Sequence, residues 1–459
     1  MTQEDPTLSC PPDVAAAHTP VATHADGSVV IESLDLDGRG IARREGKVIF
    51  VEGALPGERV MLKTLQNKQS YEIAEVSRHI TTSSMRVKPR CPHFGECGGC
   101  AMQHLDAGAQ VAVKQRVLED TFAHIGKIAP QQVLAPIHGP SWGYRFRARL
   151  SVRYIREKNG MRVGFRERKS SNIADMRECH TLPPHISDLL MPLRFMLMKM
   201  KARAKIPQLE LAVGDSQTAL VLRHMVPLVE SDIQVLRDFG TKHAIHWWLQ
   251  PRGPESVHPL DREDLDGLSY TMPEFGLRMP FKPTDFTQVN HAINRVLVSR
   301  ALMLLDPQPE DRVADLFCGL GNFTLALATR CREVVGVEGS QELTDRALEA
   351  ARRHGLQDKT SFSTLNLFEV DEKWLGGLGR FDRMVLDPPR DGALAVSRAL
   401  VQLGEDRPRR LVYVSCNPAT LARDAAVLVE GGYKLSGAGV VNMFPHTGHV
   451  ESIAVFNLA

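Results

Sequence analysis

Apolar runs that alternate with amphipathic stretches occupy the chain from Pro280 to its last residue. Each run is four to six residues long, the length of a strand buried on both faces of a sheet. The stretches between the runs carry apolar positions at helical spacing. Because strands and helices alternate, we predict a doubly wound, mostly parallel sheet and an α/β domain over residues 280–459. The four runs are Arg312–Phe317, Glu333–Val337, Arg383–Leu386 and Leu411–Ser415.

A different pattern lies nearer the start of the chain. Between Ser28 and about His79, short runs of β-type residues are broken by turn residues at 37–40 and 56–57. This spacing predicts a small antiparallel β-barrel. Its predicted strands are Val29–Leu34, Lys47–Val51, Arg59–Leu65 and Tyr71–Ser77.

The chain is therefore predicted to have four segments. Residues 1–27, rich in Ala, Pro, Thr and Asp, predict a disordered tail. Residues 28–80 form the barrel, and residues 81–279 form a mixed α+β region. That region includes a helix over about 106–125, which we expect to pack either there or on the last domain. Residues 280–459 form the α/β domain.

Composition narrows the class of protein. The net charge of +2 does not favour any class of partner. Eight cysteines in 459 residues are too few for a disulfide scaffold. Their clustering indicates metal binding in a reducing compartment. The first residues lack the basic start and apolar run of a secretory signal, and no apolar stretch approaches the length of a membrane span. We expect a cytoplasmic protein that is a monomer and does not bind membranes.

One cysteine lies where an apolar strand ends and a helix begins. Leu411–Ser415 predicts the strand, and Ala419–Val429 predicts an amphipathic helix with Pro418 in its first turn. Cys416 lies between them, at the carboxyl end of a strand, where open α/β sheets bind their ligands. A helix N-terminus stabilises a thiolate, so we expect Cys416 to have a lowered pKa and to act as a nucleophile. The alternative is a small buried cysteine that fills a gap.

The first two strands of the α/β domain predict an adenosine-bearing cofactor. Val313–Thr324 reads as a strand, a Gly-x-Gly loop and a helix, and Glu338 ends the next strand, where its carboxylate can accept both ribose hydroxyls. A dinucleotide site requires a third glycine, and Thr324 takes that position. S-adenosylmethionine has no phosphate to bind, so it fits better. Asp387-Pro-Pro-Arg390, at the end of a later run, also favours methyl transfer over hydride transfer.

Three cysteines lie within ten residues, at Cys91, Cys97 and Cys100, and Cys179 follows further along. Thiolates at this density select zinc or an iron–sulfur cluster. The spacing does not decide between the two, and His93 or His180 could replace one thiolate. The cysteines are distant in sequence from the cofactor strands, so we interpret the site as structural or RNA-positioning.

A basic segment predicts contact with nucleic acid. Residues 141–171 hold eight arginines and two lysines against two glutamates, a net charge of +8. The alternation places Arg145, Arg147, Arg149 and Arg153 on one side of a strand, and a second strand carries Arg162, Arg166 and Arg168. A local positive field of this size suits phosphate contact. The alternative is a solvated face with scattered ion pairs.

These motifs together resemble a known family, the bacterial iron–sulfur 23S rRNA (uracil-C5)-methyltransferases of the RlmD (RumA) type. The resemblance covers nearly everything from Ser28 to Ala459. A related tRNA-modifying branch lacks the cysteine cluster and the barrel, and another rRNA branch lacks the barrel. The family signatures are Phe286–Asn290, Asp315–Asn322, Val337-Glu338, Asn366–Phe368, Asp387–Arg390 and Ser415–Pro418.

The resemblance implies a TRAM domain of OB-like shape, a central iron–sulfur and RNA-binding domain, and a Rossmann-like class I methyltransferase domain. It implies a [4Fe–4S] cluster and S-adenosyl-L-methionine as cofactors, and 23S rRNA as the partner, methylated at the uracil in position 1939. It assigns Cys416 as the nucleophile and Glu451 as the general base. It assigns the cluster to Cys91, Cys97, Cys100 and Cys179, and the cofactor pocket to Gln288, Phe317, Asn322, Glu338, Asn366 and Asp387.

The chemistry of uracil agrees with these roles. Carbon 5 is a poor nucleophile until a group such as the Cys416 thiolate adds to carbon 6. After carbon 5 has taken the methyl group, a base must remove its proton so that the thiol is eliminated, and Glu451 can do so. Three alternatives stay open: methylation at another rRNA or tRNA uracil, methylation of a small molecule, and a cluster-bearing RNA-binding protein without catalysis.

Overall fold

The computed structural model describes residues 26–261 and 267–458. These residues form two compact units, which divide between Arg86 and Val87. The predicted tail at 1–27 lies outside the described residues, except for its last two. The boundary predicted near residue 280 falls inside the second unit.

The first unit is a six-stranded barrel with strand order β1-β5-β6-β4-β3-β2. Alternate side chains of its strands point inward, and Ile49, Val51 and Val60 are fully buried. The barrel was predicted to be antiparallel, but β4 pairs with β6 in parallel, because β6 returns across the barrel to close it. The arginine-rich β3 was missed. The strands are β1 (Val29–Val30), β2 (Ser33–Leu34), β3 (Gly40–Arg44), β4 (Lys47–Glu52), β5 (Arg59–Asn67) and β6 (Tyr71–Thr81).

The second unit contains a mixed sheet with strand order β12-β11-β10-β9-β7-β8 and a separate hairpin of β13 and β14. Helix α3 packs on β8 and α4 packs on β11, and together they bury an apolar core. The strands are β7 (Arg147–Ile155), β8 (Gly160–Gly164), β9 (Gln208–Val213), β10 (Thr218–Arg223), β11 (Ile245–Gln250), β12 (His258–Pro259), β13 (Ser269–Met272) and β14 (Leu277–Pro280). The helices are α1 (Ala107–Thr121), α2 (Pro184–Ser187), α3 (Leu190–Lys199) and α4 (Glu230–His243).

The same unit holds a seven-stranded sheet with strand order β17-β16-β15-β18-β19-β21-β20. The first five strands in this order and β20 run in one direction, and β21 runs antiparallel between β19 and β20, so the predicted doubly wound sheet is confirmed. The strands are β15 (Arg312–Leu316), β16 (Glu333–Glu338), β17 (Thr360–Thr364), β18 (Arg383–Leu386), β19 (Arg410–Ser415), β20 (Tyr433–Val441) and β21 (Glu451–Leu458). The helices are α5 (His291–Leu305), α6 (Thr324–Ala328), α7 (Gln341–Arg353), α8 (Glu372–Gly377), α9 (Leu394–Gln402) and α10 (Pro418–Glu430).

Helix α1 packs on the seven-stranded sheet, against β20 and α10. Asp106 caps its N-terminus by accepting hydrogen bonds from the N–H groups of Gly108 and Ala109. A single π-helical turn, Phe122–Gly126, extends it. A Cβ atom at Gly126 would lie 2.8 Å from the carbonyl oxygen of Ala422, so only glycine allows this close approach to α10.

Within the parts of the chain that the structure describes, none of the helices combines the length and the apolar character that a bilayer crossing requires.

We predict that Tyr413→Phe destabilises the second unit. The fully buried Tyr413 hydroxyl donates to Asp424 Oδ2 at 2.7 Å, and the Ala393 N–H donates to the same oxygen at 2.7 Å. This carboxylate thereby ties β19 and α10 to the start of α9. Loss of one hydrogen bond to a buried charge should cost about 2 kcal/mol, measured as a lower Tm by calorimetry.

Tyr433→Phe is the matched control. The Tyr433 hydroxyl is also buried, but it donates to a neutral group, the Pro408 carbonyl oxygen, at 2.8 Å. Its loss should cost about 1 kcal/mol. Equal Tm changes in the two variants would contradict the role assigned to the Asp424 charge.

Candidate active site

The candidate catalytic side chains lie at one edge of the seven-stranded sheet. Strands β18 and β19 end there, and β21 begins there because it runs antiparallel to β19. Ser415 is paired with Ser452, so the residues that flank this pair, Cys416 and Glu451, adjoin each other at the sheet edge. Asp387 follows β18 at the same edge. The structure thus brings together three residues that are far apart in sequence.

Cys416 is half-buried between the end of β19 and the start of α10. Asn417 caps the helix by accepting from the Ala419 N–H at 3.1 Å, and its amide donates to the Arg390 carbonyl oxygen at 3.0 Å. Burial raises the pKa of the Cys416 thiol to about 11, and the nearby Glu451 and Asp387 contribute. The lowered pKa predicted from the helix N-terminus is therefore wrong for this structure, because burial and two carboxyl groups outweigh the helix dipole and Arg390.

Glu451 is buried at the first position of β21, with a relative exposure of 7%. Its Oε2 atom has no hydrogen-bond partner among the described residues. Burial raises the pKa of this carboxyl to about 8, Asp387 raises it further, and Lys114 opposes the rise. A buried carboxyl group with an uncommitted oxygen and a pKa near neutrality suits a general base.

Two more carboxyl groups belong to neighbouring strands of this sheet: Asp387 directly follows β18, and Asp315 lies in β15. Burial raises the pKa of Asp387 to about 7, and the neighbouring Asp315 adds to the rise. The fully buried Asp315 accepts from the Thr324 hydroxyl at 2.5 Å, and burial also raises its pKa to about 7. Thr324, at the position of the missing third glycine, therefore ties the start of α6 to β15.

The loop after β15 has the shape of a cofactor cradle. Phe317, Gly319 and Gly321 all have positive φ angles, of 66°, 54° and 82°. This left-handed backbone turns the loop back toward Glu338, whose carboxylate accepts from the N–H groups of Gly319 and Ser340, each at 3.1 Å. A Cβ atom at Gly319 would meet nothing within 4 Å. An open, carboxylate-lined loop fits the adenosine part of S-adenosylmethionine.

The structure places the other predicted cofactor residues as follows. The Phe317 ring lies 5.7 Å from the ring of Phe368, which follows Asn366 and leaves nearly half of its surface exposed. Asn366 Oδ1 accepts from the Phe368 N–H at 3.2 Å, so it shapes the turn after β17. Gln288 is half-buried in the segment before α5.

The side chain of Asn322 is engaged by protein groups. Its Oδ1 atom accepts from the Tyr270 hydroxyl at 3.0 Å and from the Asn294 amide at 2.9 Å. Its amide donates to Asn294 Oδ1 at 3.0 Å. Asn322 therefore fixes the cradle to α5 and to the β13–β14 hairpin.

Sequence reasoning missed Lys114, which lies fully buried on α1. Its amine donates to Asn442 Oδ1 at 2.9 Å and to the Phe444 carbonyl oxygen at 2.8 Å. Both acceptors belong to the segment that joins β20 to β21. Burial lowers the pKa of Lys114 to about 8, and Glu451 opposes that fall. A lysine in an amphipathic helix resembles a surface residue, so the sequence carried no signal for this contact.

The four predicted cluster ligands, Cys91, Cys97, Cys100 and Cys179, line one pocket of the second unit. The Cys97 thiol accepts from the Gly99 N–H at 3.4 Å, and the Ser187 hydroxyl accepts from the Cys179 N–H at 2.9 Å. Burial raises the pKa of Cys100 to about 12, and the other three thiols add to the rise. Mutual repulsion of this kind shows that the four sulfurs are neighbours.

The histidines considered as alternative ligands, His93 and His180, line the same pocket and make further contacts. His93 Nε2 accepts from the Arg177 N–H at 3.1 Å, and the His180 ring packs against Trp142 with ring centres 6.1 Å apart. In residues 26–261 and 267–458, no three His, Cys, Asp or Glu side chains are grouped as ligands of a single metal ion.

β7 alternates as predicted, with Ala148, Leu150 and Val152 buried on one side. Arg149 and Arg153 are exposed on the other side. The predicted second strand is wrong in extent, because β8 ends at Gly164, and Arg166 and Arg168 lie beyond it; Arg145 precedes β7. Arg149 forms an ion pair with Glu210 at 2.7 Å, and the relative exposure of its side chain is 70%. A positive face is therefore available to solvent.

Arg147 differs from these exposed arginines. Its guanidinium donates to the carbonyl oxygens of Asp285 and of Pro283, the latter at 2.6 Å, and burial lowers its pKa to about 10. The expectation that Arg147 serves phosphate contact is corrected, because it holds the segment that leads to Gln288.

Comparisons with known proteins agree with this architecture. A family model described as "tRNA (Uracil-5-)-methyltransferase" matches residues 109–457, and the TRAM domain model matches residues 28–70. A solved structure, the Pyrococcus abyssi tRNA (uracil-54, C5)-methyltransferase in complex with S-adenosyl-L-homocysteine, has the same fold. Its TM-score is 0.70 at 23% sequence identity, covering 93% of this chain and 99% of that chain.

Two curated relatives cover nearly the whole chain. The Bordetella avium protein named 23S rRNA (uracil(1939)-C(5))-methyltransferase RlmD is 69% identical over 433 residues, which are 94% of this chain and 91% of that protein. The Paraburkholderia xenovorans protein of the same name is 59% identical over 456 residues, 97% of this chain and 96% of that protein. The family resemblance drawn from the motifs is confirmed, and this chain belongs to the tRNA (uracil-5-)-methyltransferase family, with a TRAM domain before its catalytic unit.

Proposed function

We propose that this chain methylates carbon 5 of a uracil in 23S rRNA, with S-adenosyl-L-methionine as the methyl donor. The names of relatives that are 69% and 59% identical support the substrate, and by the same names the target is the uracil at position 1939. The observation that carries the reaction is the pairing of β19 with β21, which sets Cys416 beside Glu451. Asp387 lies at the same edge, where it can orient the uracil ring.

The first step is covalent addition. Cys416 loses its thiol proton to solvent, and its sulfur bonds to carbon 6 of uracil while the carbon 5–carbon 6 π bond opens to an enolate. Burial holds the resting pKa of the thiol near 11, so the free enzyme keeps Cys416 protonated and unreactive toward other electrophiles. Arg390 is the nearby cation that favours the thiolate.

The second step completes the reaction. S-adenosyl-L-methionine, when bound, would supply an electrophilic methyl group: the enolate electron pair at carbon 5 bonds to the methyl carbon, the sulfur–methyl bond breaks, and S-adenosyl-L-homocysteine leaves. Glu451 then removes the carbon 5 proton. The electron pair of that C–H bond re-forms the carbon 5–carbon 6 double bond, and the carbon 6–sulfur bond breaks to release Cys416 as a thiolate.

The proposed [4Fe–4S] cluster rests on the donor set of the cysteine pocket. Four thiols line it, and burial raises the pKa values of Cys97 and Cys100, so they ionise only beside a strong positive charge. Tetrahedral zinc would need all its ligands about 2.3 Å from one ion. Each cysteine of a four-iron cluster binds a different iron, so four thiols around one pocket match the four protein ligands that such a cluster requires.

Cys416→Ala should lower methyl transfer to rRNA by a factor of about a thousand or more, because no other group can add to carbon 6. Affinity for S-adenosyl-L-methionine should stay near that of the wild type, measured by calorimetric titration. Cys331→Ala, which changes a buried cysteine after α6, is the control and should keep its activity. Methylation by Cys416→Ala above a few per cent of the wild type would reject the nucleophile.

Glu451→Gln should form the covalent adduct and release it slowly, since the base acts only after methyl transfer. A complex of protein with methylated RNA that resists denaturation should accumulate on a gel, and Cys416→Ala should never form it. The alternative is a structural carboxyl group, whose loss would lower Tm and cofactor affinity together. Well-folded Glu451→Gln that traps no adduct would reject Glu451 as the base.

Anaerobically purified protein should be brown and carry iron and sulfide at about four each per chain. Cys179→Ser should lose most of both, because one corner of the cluster would lack its thiolate. Cys416→Ala is the matched control and should keep the full iron content. Colourless protein that holds one zinc ion per chain would show that the wrong metal was proposed.

Replacing Arg149 and Arg153 with glutamine should weaken RNA binding and reduce the slope of log Kd against log salt by about one to two, through lost counterion release. The control replaces the exposed Arg330 and Arg352, which lie outside the basic segment. If both pairs give the wild-type slope, β7 does not contact phosphate.

A further inference from the structure

Lys114 places a buried amine behind the proposed base. The lysine has no exposed surface, and both of its hydrogen bonds end on the segment between β20 and β21. That segment leads directly into Glu451. The contact therefore joins the amine to the backbone that carries the base.

The hydrogen-bond acceptors of Lys114 are both neutral, an amide oxygen and a carbonyl oxygen. Burying an ammonium group without an anion is costly, and neutral acceptors repay only part of that cost. Glu451 is the carboxyl group that favours the charged lysine, and it is paired across β20 and β21 with Val441, the residue before Asn442. The Lys114 ammonium and the Glu451 carboxylate each favour the charged form of the other.

Other titratable groups near Lys114 and Glu451 also shift one another's pKa values. Asp387 disfavours the charged form of Glu451, and Glu451 and Asp387 together disfavour the Cys416 thiolate. His446 and His449 lie on the connecting segment, and burial lowers the pKa of each, with Lys114 contributing. Arg390 acts on Cys416 and His449. Lys114 is thus the cation that acts on Glu451 among these groups.

We propose that Lys114 is a positioning residue for proton removal: its ammonium group, fixed on the segment that leads to Glu451, favours the ionised form of that carboxyl group for the step that follows methyl transfer. The inference rests on the proposed function. In this step the Glu451 carboxylate takes the carbon 5 proton, the double bond re-forms and the carbon 6–sulfur bond breaks. Lys114 transfers no proton in this step.

The sign of the effect follows from the charge. Without the ammonium group, the pKa of Glu451 rises, so the basic form of the carboxyl is present only at higher pH. An opposite charge nearby shifts a carboxyl pKa by about one unit or more. At a pH below the midpoint, one unit corresponds to a tenfold slower release of the adduct.

The experiment measures release of the covalent adduct in single turnovers, with a transcript of the 23S rRNA segment around the proposed uracil, from pH 6 to 10. Deuterium at carbon 5 should slow the measured step, which verifies that proton removal is observed. Lys114→Met and Lys114→Gln should move the midpoint of the pH profile upward by about one unit or more. Lys114→Arg keeps the charge and should keep the midpoint near that of the wild type.

Two further variants separate charge from packing. Gln115→Met alters the adjacent α1 residue, whose side chain accepts from the Val440 N–H at 3.0 Å but carries no charge. Asn442→Leu removes one acceptor of Lys114 and leaves the ammonium group in place. Both should lower Tm without moving the pH midpoint.

The outcomes are distinguishable. A wild-type midpoint in well-folded Lys114→Met or Lys114→Gln would overturn the inference, as would equal slowing at every pH. If neither folds, Asn442→Leu and Lys114→Arg decide: a shifted midpoint in either would overturn the inference, and wild-type midpoints in both support it. Absence of any adduct with wild-type and Glu451→Gln enzyme would instead reject the proposed covalent mechanism.

Discussion

The pairing of β19 with β21 is the constraint on which the candidate site depends. The end of β19 and the start of β21 lie at one sheet edge because β21 runs antiparallel to the five strands before it. A parallel final strand would have placed the start of β21 at the opposite edge. The main-chain ladder, and not a direct contact of side chains, therefore sets the separation of Cys416 and Glu451. The hydrogen bonds of Asp424 to β19 and to the start of α9 hold the same edge from the helical layer.

Burial controls the electrostatics of this edge. It raises the pKa values of Cys416, Glu451, Asp387 and Asp315 together, since each loses contact with water and each lies near another acidic group. In the resting state the site therefore holds fewer negative charges than its composition indicates. A site of this kind acquires its reactive ionisation only when cations enter or already lie nearby. Lys114 is the cation that acts on Glu451, the proposed base, and Arg390 is the cation that acts on Cys416, the proposed nucleophile.

The sequence predicted those features that depend on local pattern. Strand and helix alternation identified the seven-stranded sheet, and the motifs at its strand ends identified Cys416, Glu338 and Asp387. Features that depend on tertiary contact were missed. The alternation of buried and exposed side chains in β7 was predicted correctly. The orientation of the Arg147 side chain was not, because its guanidinium donates to the carbonyl oxygens of residues 283 and 285, which are distant in sequence. The pKa of Cys416 was predicted from its own helix, whereas burial and carboxyl groups from two other strands decide it.

The cysteine segment and the base share one physical support. The N–H groups of Ala101 and Met102, next to Cys100, both donate to the carbonyl oxygen of His446, at 2.8 and 3.0 Å. Gln110 of α1 accepts from the His446 N–H at 2.7 Å, and Trp142 stacks on the His446 ring. His446 has a φ angle of 67°, a conformation that costs free energy unless its surroundings hold it. The order of the cysteine pocket is thereby linked to the position of Glu451, five residues further on. This link gives the cysteine pocket a structural role in holding the segment that leads to Glu451.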